Sequence, residues 1–261
     1  MSLNISVDEV LLDLVEPKRI VALTSLADNA EISNISARSA AVKGRVQAAN
    51  PESILALKPD LIILPNFTKA DTIAHLREMQ LPVYVYNAPY HIEGIKGFIR
   101  EMGLVVHEES RAQQILQAME QRLQTVCRKV EQVSKAQQKR VVFMNDLGAY
   151  YSPEHSFNDI CQYAGVQNAL AELKYTKPVM VAQEEIVRLN PDVFVLSGWT
   201  NSADEIPDQV AYMLRSDPGY STVKAVQRQA IYILPARHLL SLSQYVVEAA
   251  DDLARAVYGI E

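Results

Sequence analysis

A chain that carries the same helix-and-strand unit twice is constrained to fold as two similar halves, and this 261-residue sequence does so. Glu52-Ser53-Ile54-Leu55-Ala56-Leu57-Lys58-Pro59-Asp60-Leu61-Ile62-Ile63-Leu64 is matched by Glu184-Glu185-Ile186-Val187-Arg188-Leu189-Asn190-Pro191-Asp192-Val193-Phe194-Val195-Leu196, at a constant offset of 132 residues. Each copy reads as a short helix stopped by Pro-Asp and then a buried strand, because proline has no N–H to give and pushes the residue before it out of the helical region. The flanks echo one another as well. Lys18-Arg19-Ile20-Val21-Ala22-Leu23 stands against Lys139-Arg140-Val141-Val142-Phe143-Met144, and Val83-Tyr84-Val85-Tyr86 against Ile231-Tyr232-Ile233-Leu234. Apolar runs without polar alternation suit strands covered on both faces, as in a parallel sheet.

Between the halves lies one long helical pattern, from Glu108 to Ala136, with no Gly or Pro to interrupt it. Ile115, Met119, Leu123, Val126, Val130 and Val133 recur at steps of three and four and so share one face. Arg111, Gln117, Glu120, Arg122, Gln124, Arg128 and Glu131 occupy the rest, which makes the helix amphipathic. At 1.5 Å per residue it would span roughly 40 Å, about the width of a domain. The expected organisation is an N-terminal lobe over 1–107, a connecting helix over 108–136 and a C-terminal lobe over 137–261. The fold class is α/β: two Rossmann-like lobes with parallel sheets, joined by that helix, with a ligand cleft between them.

Composition bounds the function. Half of the residues are hydrophobic, a fifth are charged and the net charge is −6, so the core is ample for two domains and the surface lacks the basic excess that nucleic acid demands. Cys127 and Cys161 are two cysteines only, which suggests neither a zinc cluster nor a disulfide framework. No apolar stretch is long enough to cross a membrane, and the opening Met1-Ser2-Leu3 reads as what remains where an export signal was removed.

In open parallel sheets ligands sit in the loops at the carboxyl ends of strands. In the first half, which opens with Ile5 to Glu16 and Pro17, the strand expected over Arg19–Leu23 leads to Thr24-Ser25-Leu26-Ala27-Asp28-Asn29. Asn50 and Pro51 read as the cap and first residue of a helix that Pro59 ends. The strand over Leu61–Leu64 then delivers Pro65-Asn66-Phe67, and that over Val83–Tyr86 delivers Asn87-Ala88-Pro89-Tyr90-His91. In the second half the corresponding loops are Asn145–Tyr151, Ser197-Gly198-Trp199-Thr200 and Pro235-Ala236-Arg237-His238. A helix opening at Ser156 and a last helix over Ser243–Tyr258, stopped by Gly259, complete the half.

The candidate ligand-binding residues are therefore Thr24, Ser25, Asn66, Phe67, Tyr90, Tyr150, Trp199, Arg237 and His238. The single Trp either stacks on a flat ligand or anchors the core. Arg237 suits carboxylate or catecholate oxygens, since its planar fork grips anionic oxygen, though an ordinary surface arginine has the same context. Tyr90, His91, Tyr150, Tyr151 and His238 either ligate an iron or line walls. Phe67 and Phe157 read as packing residues. Enzyme signatures are missing: there is no glycine-rich phosphate loop, no paired His with an adjacent Glu on a helix and no Gly-x-Ser-x-Gly elbow. A two-lobed α/β hydrolase remains the alternative class.

The residues Pro17–Leu23, the unit Asn50–Ile62, the Ser156-Phe157-Asn158-Asp159 turn followed by Ala164-Gly165 and Asn168, and the closing Tyr245–Tyr258 helix together resemble class III substrate-binding proteins of ABC importers. The resemblance spans Pro17 to Gly259. It implies an exported, rigid, monomeric two-lobed receptor that holds no intrinsic cofactor or metal site, performs no catalysis and hands a metal chelate to a membrane permease. The family it resembles handles ferric siderophores, haem and cobalamin; Arg237 with Tyr90 and Trp199, one cation and two aromatics, puts a ferric siderophore first, with cobalamin and haem next. The chain departs from the family in having no Gly soon after its first strand; its first is Gly44. By position within each copy, Asp71 of the first lobe and Asp204 or Glu205 of the second correspond to the acids with which the family meets arginines of the permease. The same acids also suit ordinary helix caps.

Overall fold

A computed structural model describes residues 1–47, 50–199 and 207–260. The chain divides into two compact units, the first comprising Met1–Met119 and Ser241–Tyr245, the second Glu120–Leu240 and Val246–Glu261. The chain therefore crosses the division three times, once within the long helix and twice around Ser241–Tyr245.

In the first unit the elements alternate: α1 (Ile5–Leu14), β1 (Ala22–Thr24), α2 (Ser36–Ser39), β2 (Gly44–Val46), α3 (Pro51–Ala56), β3 (Ile62–Pro65), α4 (Ala70–Glu78), β4 (Val83–Tyr86), α5 (Ile92–Val105) and the start of α6 (Glu109–Val130). Strands β1 and β2 pair in parallel, as do β3 and β4, and Ser2 adds a parallel bridge to Ile63. Gly44 is required where β2 meets β1, because a Cβ there would lie 2.1 Å from the Val21 carbonyl oxygen. A core of Ala22, Val46, Ile54, Ile62, Leu64 and Leu76 is closed by the strands and by α3 and α4.

The first strand is shifted from its expected place. Arg19 ends a 3-10 turn over Pro17–Arg19, and the strand begins at Ala22. The guanidinium explains this: it donates to the Val106 carbonyl at 2.9 Å and to Glu108, partners that a strand running through Arg19 would forfeit. The stretch Ile5–Glu16 holds helix α1, of whose ten residues eight are buried, Asp8 and Glu9 among them. A helix covered on nearly every side lacks the one-sided period by which surface helices are read.

Helix α6 covers Glu109–Val130 and stops short of Ala136. Its buried face is Ala112, Leu116, Met119, Leu123, Val126 and Val130. Ile115 is only half-buried, and Val133 lies past the end of the helix. Close packing fixes both ends: Ala112 sits against Gly103 in the first unit, and Val130 against Gly165 in the second.

The second unit follows with β5 (Arg140–Met144), β6 (Ala149–Tyr151), α7 (Ser156–Tyr163), β7 (Gln167–Asn168), β8 (Val179–Val181), α8 (Gln183–Leu189), β9 (Val193–Ser197), α9 (Pro207–Ser216), α10 (Lys224–Gln227), β10 (Ile231–Leu234), α11 (Ala236–Leu239) and α12 (Val246–Tyr258). Four parallel strands form one sheet in the order β10-β9-β5-β7, and β6 pairs with β8 antiparallel. Val142, Met144, Phe194, Leu196, Ile186 and Leu214 fill the core against it.

The repeat holds in three dimensions. Ile62 pairs with Val83 in the first unit, and Phe194, its counterpart 132 residues on, pairs with Ile231 in the second. Lys58 and Asn190, the residues before the two Pro-Asp pairs, both adopt the left-handed conformation at φ 48°. A residue before proline is disfavoured in the right-handed helical region, so each helix ends there and the chain is aimed into the next strand. The last helix begins at Val246 rather than Ser243, because Ser241 and Ser243 spend their hydroxyls on Glu9 in the first unit's α1.

Candidate functional site

At the carboxyl end of β1, Thr24 is buried, and its N–H and hydroxyl donate to Asp8 Oδ2 at 2.9 and 2.5 Å. Its polar groups are thus committed to the interior. Ser25 is half-buried at the start of the turn Ser25–Asp28, and Leu26 beside it is 45 % exposed. Arg45 grips Asp28 with two hydrogen bonds of 2.7 Å, from Nε to Oδ2 and from Nη2 to Oδ1, and holds its carboxyl down at about 2. That fork fixes the turn.

After β3, Asn66 is held in place: its side-chain N–H donates to Asn87 Oδ1 at 3.2 Å, and its Oδ1 accepts from the Ala88 N–H at 3.3 Å. Phe67 follows at 62 % exposure. It does not pack. After β4, Tyr90 is 52 % exposed, and His91 caps α5, its Nδ1 accepting from the Gly94 N–H at 2.9 Å. In the neutral ring that places the proton on Nε2, which leaves His91 no free nitrogen lone pair. The strand ends of the first unit thus offer two exposed rings and a leucine, framed by an asparagine pair.

In the second unit β5 runs into a two-residue turn closed by mutual backbone bonds between Asn145 and Gly148, and β6 follows directly. The antiparallel β6–β8 pair places Tyr150 opposite Met180, both exposed, with Leu147 at the turn the most exposed of the three. At the end of β9, Ser197 is buried, and its hydroxyl accepts from the backbone N–H of Trp199 at 3.3 Å; Trp199 is half-buried. At the end of β10, Arg237 and His238 lie on α11, both half-buried. His238 Nδ1 lies 2.6 Å from Asp252 Oδ2 on α12, a contact that fixes the ring and leaves Nε2 for another partner.

Phe157 packs as expected, buried against Phe143 with centroids 5.3 Å apart. The exposure of Leu26, Leu147 and Met180 beside these loops is not legible in the sequence. Leucines in polar loops are the one signal that marks the first two, while Met180 is brought to the edge by strand pairing alone. Asp71 is exposed in the first turn of α4, but the cap of that helix is Lys69, so Asp71 does not serve as the cap. Asp204 and Glu205 lie outside the described residues, as does Thr200. Cys127 is exposed and Cys161 buried, the thiol of the latter pushed well up by burial. Among the described residues, no group of three or more His, Cys, Asp or Glu side chains is placed to hold a metal ion, and no helix is long and apolar enough to cross a membrane.

Two cavities open at the other, amino ends of the strands. One of about 560 Å³ is lined by Ile20, Leu61 and His107 in the first unit, and one of about 630 Å³ by Lys139, Asp192 and Tyr258 in the second. None of the candidate residues lines either. At the carboxyl-end loops the fold exposes aromatic side chains beside polar groups of fixed geometry, in the position where open parallel sheets carry their ligands.

The periplasmic binding protein family matches residues 1–238, and the chain belongs to it. It is 24 % identical over 215 residues to an uncharacterized ABC transporter substrate-binding lipoprotein, YvrC, of Bacillus subtilis, a match covering 80 % of this chain and 65 % of that protein. It is 23 % identical over 216 residues to the molybdate-binding protein MolA of Haemophilus influenzae, covering 75 % and 59 % respectively. The chain thus spans less than two thirds of the length of these relatives. Among solved structures, the periplasmic heme-binding protein RhuT of Roseiflexus sp. RS-1 superposes with a TM-score of 0.81 at 19 % identity, over 99 % of this chain and 97 % of the other. The fold is that of the class III periplasmic binding proteins.

Proposed function

We propose that this protein is the substrate-binding component of an ABC importer, working outside the cytoplasm as a monomer, and that its ligand is a metal chelate rather than a small oxyanion. The observation that carries the reading is the exposure of Leu26, Phe67 and Tyr90 in the loops after β1, β3 and β4, and of Leu147, Tyr150 and Met180 on the turn and antiparallel β6–β8 pair that follow β5. A bulky ligand with apolar surface gains from covering such side chains at about 25 cal/mol per Å², while an oxyanion gains nothing from them. Arg237 and His238 supply polar recognition in the second unit and Asn66 in the first. A ferric siderophore is the leading ligand, because one cation, Arg237, together with exposed aromatic rings suits a large anionic complex; cobalamin and haem follow. The protein binds and releases without chemistry, and its partners are the permease subunits, which Asp71 with Asp204 or Glu205 meets.

Trp199 is the sole tryptophan and reports from the loop after β9. Titration with a ferric siderophore, cobalamin, hemin and molybdate, followed by its fluorescence, should give one chelate a Kd well below about 10 μM, which corresponds to roughly −7 kcal/mol. Tight molybdate binding with no response to any chelate would overturn the reading.

A further inference from the structure

We propose that Glu9 is a proton-operated latch for the segment Ser241–Tyr245: a proton on Glu9 Oε2 keeps that segment seated on α1, and loss of the proton loosens it. The inference is independent of which ligand the protein carries. Helix α1 presents two carboxylates one turn apart, Glu9 and Asp13, and each holds the same two stretches of chain. Glu9 Oε1 accepts from the N–H and the side-chain amide of Asn34 at 2.8 and 2.9 Å, while Oε2 accepts from the hydroxyls of Ser241, at 3.2 Å, and Ser243. Asp13 Oδ1 accepts from Arg38 at 2.7 Å, while Oδ2 accepts from the Gln244 side chain at 2.6 Å and the Tyr245 hydroxyl at 2.9 Å. The segment is therefore hung from two rungs. By chain order it is also where the backbone leaves the second unit and returns to it, so its seating decides whether the first unit keeps that tie.

The rungs differ in charge. Asp13 has the Arg38 guanidinium against it, so that rung carries its own countercharge, whereas Glu9 is buried among amide and hydroxyl donors. The charged groups around Glu9 are committed elsewhere: Arg38 on α2 to Asp13, Lys96 on the packed helix α5 to Glu93, and Arg45 to Asp28 of the turn Ser25–Asp28. Tyr245 of the segment donates to Asp13, and Asp8, buried next to Glu9 on α1, repels a second negative charge. Burial outweighs the donors and raises the Glu9 carboxyl above its ordinary 4.5. Seating is therefore favoured by this group fully below pH 4.5, and the contribution is lost as pH climbs through the raised value. Oε2 is the oxygen that can keep the proton, because the Asn34 N–H groups only donate while the two serine hydroxyls, 2.9 Å apart, can turn to accept. The seat also holds an uncompensated atom. Gln244 Oε1 is buried and accepts from no group among the described residues, which weighs against the docked segment and leaves the balance within reach of one proton.

The Ser243 and Tyr245 amides report on the seat, because they donate to the Ser241 and Ser243 hydroxyl oxygens at 3.2 and 3.4 Å. Hydrogen exchange of the full chain, corrected for the intrinsic rate, should show their protection falling roughly tenfold between about pH 4.5 and about pH 8, while the amides of β9 change by less than about threefold. Glu9→Gln keeps an acceptor for Asn34 on an uncharged head, so it should hold the protection level across that range. Asp8→Asn should leave the fall in place, and Asp13→Asn should lower protection at every pH. Protection that does not depend on pH in the parent, a fall that survives Glu9→Gln, or one that Asp8→Asn abolishes overturns the latch. Carbon-13 NMR of the Glu9 carboxyl in the unaltered chain serves where a variant does not fold: titration above pH 4.5 in step with the loss of protection is expected, and titration at or below 4.5 overturns the latch.

Discussion

Asp8 has no exposed surface, and its carboxylate accepts from Ser2 and from the N–H and hydroxyl of Thr24. Burial outweighs those bonds and pushes its pKa from 3.8 up to about 6, and Glu9 beside it is raised as well. A carboxyl whose pKa is raised by folding contributes stability that is fully present below pH 3.8 and is lost as pH climbs through 6. The shift of about two units is worth roughly 3 kcal/mol. Asp8→Asn keeps an acceptor for the Thr24 N–H and removes the charge, so the variant should gain on the parent as pH rises from 4 to 7. Denaturant unfolding of the pair across that range would show parallel curves if Asp8 were not the titrating group. Thr24 was the candidate for ligand contact; its groups turn inward because a helix with no sequence signature delivers an acid beneath it.

At the scale of elements, α12 is bound to α6 through one buried carboxylate. Asp251 accepts from Lys129 at 2.8 Å, from Arg122 at 3.0 Å and from Arg255 at 2.5 Å, and its side chain is 3 % exposed. Burial raises its pKa, but the Lys129 hydrogen bond and the charges of Arg122, Lys129 and Arg255 outweigh that and leave it below the ordinary value. Its contribution is therefore present above the usual carboxylate pKa and lost as pH falls, opposite in sign to that of Asp8. The three cations are 22 to 55 % exposed and can be rehydrated, so Asp251→Ala should cost about 2 to 3 kcal/mol, below the usual range for a fully buried pair. Chemical denaturation measures this, and a loss under about 0.5 kcal/mol would show that the carboxylate merely balances its own desolvation. Gly165, just past α7, offers a separate test of packing on the end of α6. It sits at φ +68°, and a Cβ there would lie 3.0 Å from Val130 Cβ, so Gly165→Ala should destabilise by more than about 1 kcal/mol.

At the scale of the whole molecule, the proposed partner is an importer, and the test is charge reversal. Asp71→Arg with Asp204→Arg and Glu205→Arg should leave ligand affinity and thermal midpoint near the parent values and abolish ligand-dependent uptake, because like charges would face each other at the docking surface. Asp71 is exposed and is not the cap of its helix, so its replacement carries little stability penalty. Normal uptake by the triple variant would remove these acids from the docking role. Joining the units is not left to α6 alone. Ser241–Tyr245 returns to the first unit, where Gln244 donates to Asp13 at 2.6 Å and to the Glu9 carbonyl at 2.9 Å, and Tyr245 donates to Asp13 at 2.9 Å.

Local chemistry alone determined much of this protein. The duplicated Pro-Asp units, the strands Val83–Tyr86 and Ile231–Leu234, the Asn50-Pro51 helix start and the Gly259 stop are all legible, because each depends on a backbone preference or on a hydrophobic run that acts within a few residues. The loops that bear the candidate residues followed from those strands. Exposure did not follow, nor did the hidden elements: α1, the β6–β8 pair and the return of Ser241–Tyr245 all depend on partners far along the chain. Whether Phe67 packs or stands open, whether Thr24 faces a ligand or Asp8, and whether Met180 stands beside Tyr150 are set by which distant surfaces and donors meet. That meeting is an energetic outcome of tertiary packing, on which no window of neighbouring residues reports.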